Sequence, residues 1–132
     1  MAHNPERLFR LRAVMGEQGI DVLYVRELPN ISWATGFERV FDDEPAHALV
    51  VSARNCVLHT DSRYFDAMKS AAADTDIEVN NSRMAHSAVL AKVSDCIDGD
   101  IVRVGIEDSM PLAEYRALQR TFEGRAIDLV EL

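Results

Sequence analysis

Short apolar runs of strand length recur along this chain, and most are separated by segments whose apolar residues repeat at helical spacing. That alternation restricts the fold more than any other feature. It points to a layered α/β domain in which helices flank a sheet. Asn4-Pro5 can open a first helix, with Asn as cap and Pro in the first turn. Leu8, Leu11, Val14, Met15 and Gln18 then form one stripe, and Gly19 supplies a stop. Ile20 to Val25 reads as a buried strand, and Pro29 to Gly36 as a short helical segment before a loop from Phe37 to Pro45. Ala46–Ser52 and Cys56–Thr60 are two strands joined by a turn at Arg54-Asn55. They form an antiparallel hairpin, the one break in the alternation.

Thr60-Asp61-Ser62 is a capping cluster ahead of a helix carrying Tyr64, Phe65, Met68, Ala71 and Ala72. After a strand at Ile77–Val79, Asn81 or Ser82 can cap a helix in which Val89, Leu90, Val93 and Ile97 share a face. Asp98-Gly99-Asp100 ends it with turn chemistry. Ile101–Glu107 is a strand, Ser109 and Pro111 start a helix with Leu112, Tyr115, Leu118 and Phe122, and Ala126–Val130 is a last strand beyond Gly124. The expected domain has about six strands in a mixed sheet with one hairpin, and four main helices besides the short segment. The 132 residues suit one domain.

Charge and cysteine usage narrow the function. Twenty-two acids against 14 bases give a net charge of −8, which disfavours a phosphate backbone as partner. The twelve arginines and two lysines are scattered. Cys56 and Cys96 form no C-x-x-C pair and read as buried free thiols. No apolar run approaches the length of a membrane span, and the opening residues lack a signal-peptide core. A cytoplasmic location follows as the expectation.

The familiar chemical signatures are missing. The six glycines make neither a G-x-G-x-x-G nor a P-loop pattern, and no G-x-S-x-G elbow exists. His3, His47, His59 and His86 do not pair at helical spacing, although His47 and His59 share the hairpin. These two read as ordinary sheet histidines, with a metal pair as the sharper alternative. Asp42-Asp43-Glu44 reads as a solvated acidic loop, without the alternating ligands and glycine of a calcium site.

Two segments look unusual for a pure scaffold. Asn30-Ile31-Ser32-Trp33-Ala34-Thr35-Gly36-Phe37 places an amide, the single tryptophan and another aromatic on a short connection. Thr60-Asp61-Ser62-Arg63-Tyr64 sets an acid, a guanidinium and a phenol where a helix should start, with Asp61 favouring its positive end. The plain structural reading has Asn30 and Asp61 capping turns, Trp33 packed in the core, and Arg63 paired with a neighbour.

In this order, the two segments resemble the N-terminal domain of the creatinase/prolidase family, which includes Xaa-Pro aminopeptidases, Xaa-Pro dipeptidases and creatinase. Asn30 to Phe37 is similar to its Asn-Ile-x-aromatic-x-Thr-Gly-Phe segment, and Thr60 to Tyr64 to its Thr-Asp-x-Arg-Tyr segment. Arg7-Leu8, Leu11-Arg12, Met15 and Gly19-Ile20-Asp21 resemble its opening helix and strand. Gly105-Ile106-Glu107, with Tyr115 and Leu118 beyond, resembles its Gly-Ile-Glu stretch and following helix. Trp33 stands where tyrosine is commoner and Ala34 where leucine is usual.

The resemblance implies a ribonuclease H-like α/β fold spanning residues 1–132 as one non-catalytic domain, with a "pita-bread" catalytic domain beyond Leu132. That second domain would carry two aspartates, a histidine and two glutamates around two divalent metals, often manganese, which generate a hydroxide nucleophile and polarise the scissile carbonyl. This chain alone is expected to be inactive. The resemblance further implies a homodimer in the full-length protein, in which this domain helps shape the rim of an active site for peptide substrates. The rim candidates are Trp33, Phe37, Glu38, Arg39, Arg63 and Tyr64, with Asn30, Gly36 and Asp61 as structural motif residues. Phe37 would pack on an apolar group and Arg39 would bind a substrate carboxylate. Two other parents stay open: a creatinase-like hydrolase of small amidino compounds, and a protein that has lost catalysis and uses the fold to bind partners.

Overall fold

The computed structural model describes residues 5–37, 47–73, 75–95, 97, 101–123 and 127–131. The elements run α1 (Pro5–Gln18), β1 (Val22–Val25), α2 (Leu28–Thr35), β2 (Ala48–Ser52), β3 (Cys56–His59), α3 (Phe65–Ala71), β4 (Glu78–Asn80), α4 (His86–Asp95), β5 (Val102–Ile106), α5 (Leu112–Thr121) and β6 (Ile127–Glu131). The strands form one mixed sheet in the order β4-β3-β2-β1-β5-β6. Antiparallel pairing joins β1 to β2 and β2 to β3, and the remaining neighbours are parallel.

The period-2 alternation sorts the strand residues onto two cores. On one face Leu23, Val25, Leu49, Val51 and Leu58 meet Leu8, Met15, Ile31 and Met68 from α1, α2 and α3. On the other Val22, Tyr24, Val50, Val57, Val104 and Ile106 meet Val89 and Leu90 of α4, Leu118 of α5 and Phe122 just beyond it. Because β1, β2 and β3 are covered on both sides, every residue in them is buried, and they read as continuous apolar runs. Cys56 belongs to this interior as a free thiol. Burial pushes its pKa up to about 12, so it is an inert packing group. Cys96 lies outside the described residues.

Helix ends follow local chemistry, with three departures from the expectation. Val14 is exposed and stands off the α1 stripe, which rests on Leu8 and Met15. α3 begins at Phe65, not beside Asp61, because Asp61 Oδ1 accepts the N–H of Arg63 at 2.9 Å and closes a local turn first. α4 begins at His86, not after Asn81 or Ser82, because Asn80 Oδ1 takes the Ser82 N–H at 2.8 Å. At the other ends, Gly19 (φ 70°) closes α1 with bonds from Gly19 N to Gly16 O and from Ile20 N to Met15 O.

Candidate functional site

β1, β3, β4, β5 and β6 all run in one direction, and only β2 opposes them. Four connections therefore use the carboxyl edge of the sheet: the one from β1, which returns into β2 at the same edge, and those leaving β3, β4 and β5. The sequence segments singled out above lie on these connections. Between β1 and β5 the chain departs in opposite directions, from β1 toward β2 and from β5 toward β6. Such a switch point opens a crevice outside the strand ends, the usual place for a ligand in an α/β sheet.

Glu107, just past β5, organises this edge. Its Oε1 accepts the backbone N–H of Arg26 at 2.6 Å and of Glu27 at 3.1 Å, and its Oε2 accepts Asn30 Nδ2 at 2.7 Å. Glu27 is the N-cap of α2 but makes no side-chain cap bond. The carboxylate that favours the positive end of α2 thus comes from a different strand. Asn30 also donates to Glu27 Oε2 at 3.3 Å, so it braces the first turn of α2. Arg26 continues the network, donating from Nε to His47 O at 3.1 Å and pairing through Nη1 with Glu114. Burial holds the neighbouring Tyr24 phenol neutral, with its pKa pushed up to about 12.

The end of α2 explains the Thr35-Gly36-Phe37 sequence. Thr35 Oγ1 donates to Ile31 O at 2.8 Å and accepts the Phe37 N–H at 3.2 Å. Gly36 adopts φ 71° and returns its N–H to Ser32 O at 2.8 Å. This turns Phe37 into the core, where 1% of it is exposed. Phe37, one of the expected rim residues, thus has its ring packed with the interior of α1 and α2 in this chain. Gly36→Ala should cost about 1 kcal/mol, because the left-handed backbone strains any Cβ. An unchanged denaturant midpoint would refute that assignment.

Trp33 behaves in the opposite way. It is 46% exposed rather than packed in the core. The Arg7 guanidinium stands over its ring at 5.6 Å and donates to its carbonyl at 3.0 Å. Along the same edge, His47 is buried with Nδ1 2.9 Å from Thr60 Oγ1, and its ring meets Tyr64 edge-on at 4.8 Å. Arg63 folds back on Asp61, with Nη2 2.8 Å from Oδ2, and lies over the Tyr64 ring at 5.1 Å. The hydrogen bond from Arg63 holds the exposed Asp61 carboxyl below its usual range. Glu38 and Arg39 lie outside the described residues.

The histidines do not form the hairpin pair. His47 turns to Thr60, whereas His59 meets His86, with Nδ1 atoms 2.6 Å apart. His59 Nε2 lies 3.0 Å from Ser82 O, a pure acceptor, so Nε2 carries the proton and Nδ1 accepts one from His86. Burial, then the nearby charges of Arg26, His59 and His47, lower the His86 pKa to about 3. Among the described residues, no three His, Cys, Asp or Glu side chains converge as a metal site. No helix among them is long and apolar enough to cross a membrane.

Sequence reasoning missed Glu107 and Arg26 as organisers of this edge. Glu107 stood in a quoted stretch, but no spacing rule couples a strand end to a helix start some eighty positions earlier.

Comparison with known proteins agrees with this architecture. The chain is similar to an Xaa-Pro aminopeptidase from Streptococcus pyogenes, with 27% identity and a TM-score of 0.78, over 96% of this chain and 91% of that one. It is similar to the creatinase/prolidase-like N-terminal domain of a metallopeptidase from Corynebacterium diphtheriae, with 25% identity and a TM-score of 0.71, over 96% and 94% of the two chains. An Xaa-Pro dipeptidase from Bacillus anthracis shares the fold at 20% identity and a TM-score of 0.75, and there 96% of this chain spans 33% of the larger one. Among curated proteins, none matches the sequence. The model of the creatinase/prolidase N-terminal domain matches residues 7–132, and the chain belongs to that family.

Proposed function

We propose that this chain is the non-catalytic N-terminal domain of a dinuclear-metal Xaa-Pro peptidase, acting in dimerisation and at the rim of an active site. The observation that carries the reading is the family match over residues 7–132, joined to likeness with both an isolated N-terminal domain and a dipeptidase three times longer. The partners in this reading are a C-terminal catalytic domain of the same protein, a second subunit and a peptide substrate. The two divalent metals, manganese by preference, belong to that catalytic domain, and the parent protein is cytoplasmic. The rim is assigned to Trp33, Arg63 and Tyr64 on the carboxyl edge, with Glu38 and Arg39.

The test uses the full-length protein. It should cleave Xaa-Pro peptides only when manganese or cobalt is supplied. Arg39→Ala should change the ratio of kcat/KM between short and long substrates by about tenfold, the scale of one lost charge-assisted contact, with metal content unchanged. Absence of metal-dependent cleavage would remove the peptidase reading. Unchanged ratios would remove Arg39 from the rim.

A further inference from the structure

The switch-point crevice between β1 and β5 has a composition of its own. It encloses about 280 Å³. That lies just below the usual range of ligand pockets (roughly 300–1,000 Å³), closer to one long side chain than to a cofactor. Its apolar floor includes Leu23, Val25 and Ala34. Beside Leu23 in the sheet stands Gly105, so β5 adds no side chain above that floor. Trp33 forms one wall, and Glu27, Glu107 and Asp108 supply the charge. Among the described residues that line it, three are acidic and none is basic.

These acids differ in what they already do. Glu107 is committed to the amides of Arg26 and Glu27 and to Asn30. Glu27 receives only a 3.3 Å bond from Asn30, and Asp108 is exposed in the turn after β5. Two carboxylates are thus available beside an exposed indole. Trp33 already stacks one guanidinium, that of Arg7, which does not line the crevice. The negative wall, the apolar floor and the aromatic face together fit a planar cation on an aliphatic stem.

From this we infer that the crevice binds an arginine side chain of a peptide partner, with its stem on Leu23 and Val25, its guanidinium against Trp33, and its donors on Glu27 and Asp108. Arginine suits the site better than lysine, because the guanidinium stacks on an indole and forks onto carboxylates. The inference concerns this chain alone and does not rest on a peptidase parent.

Trp33 is the single tryptophan, so its fluorescence reports the site directly. The chain would be titrated with acetyl-Gly-Arg-Gly-amide and with its citrulline and lysine counterparts. The expected result is a saturable change with the arginine peptide, weakened by salt, and at least roughly tenfold weaker binding of the neutral citrulline peptide, one lost charge-assisted contact. Glu27→Gln combined with Asp108→Asn should weaken the arginine peptide at least about fivefold with the circular dichroism spectrum unchanged. If that variant unfolds, the citrulline comparison on the unaltered chain decides. No saturable change, or equal binding of citrulline, overturns the site. Lysine binding as tightly as arginine overturns the guanidinium assignment.

Discussion

Glu107→Ala should destabilise the chain by about 2–3 kcal/mol, the range for losing hydrogen bonds to a charged acceptor, with part of the cost recovered by water. The side chain accepts two backbone N–H groups and one side-chain amide at the start of α2. Alanine strands the Arg26 and Glu27 amides at a helix end where Glu27 offers no cap of its own. Glu107→Gln should recover more than half of the loss, since its one oxygen can still accept the Arg26 and Glu27 N–H groups, while its NH2 meets the Asn30 amide nitrogen and loses that bond. Urea unfolding measures both. A midpoint shift in Glu107→Ala equivalent to less than about 0.5 kcal/mol would mean that α2 is held by its apolar face alone. The loss should be local as well. Amide exchange at Arg26 and Glu27 should accelerate more than in β2 or β3, because the bonds removed belong to the carboxyl edge and not to the sheet.

Elements held by their own neighbours were legible in the sequence, and those held by distant ones were not. The runs of β1, β2 and β3 could be read because burial on two faces demands uninterrupted apolar residues. Gly19 and Gly36 marked helix ends because a positive φ has a residue preference. Asp61 misled, and Asn80 went unread, for a related reason. A short polar side chain caps a turn two residues away as readily as it caps a helix, and the sequence does not state which N–H it will take. Phe37 was placed on a surface loop, whereas the Thr35 hydroxyl and the Gly36 turn direct it inward. The Glu107 contact with α2 and the His59–His86 contact join residues from separate elements, and only the strand order brings them together.

That histidine pair carries the last prediction, a loss of stability in mild acid. The folded His86 has its pKa lowered from 6.5 to about 3, with burial as the main cause and the charges of Arg26, His59 and His47 adding to it. Between these values the unfolded chain binds a proton that the folded chain refuses. Stability from this group is therefore fully present above pH 6.5 and declines as pH falls toward 3, with no further loss below. The ceiling is about 1.4 kcal/mol per pH unit. His86 is only partly buried, so solvent screening lowers the expected loss to about 1–2 kcal/mol between roughly pH 7 and pH 4.5. Carboxylates stay ionised in the upper part of that window, above about pH 5.5, so the first part of the decline reports the imidazoles. His86→Gln can still donate to His59 Nδ1 but cannot take up a proton. It should keep most of the stability at neutral pH and flatten the decline by more than half. If the variant and the unaltered chain lose stability in parallel, the acid response arises elsewhere, and the pair is a packing contact without consequence for titration.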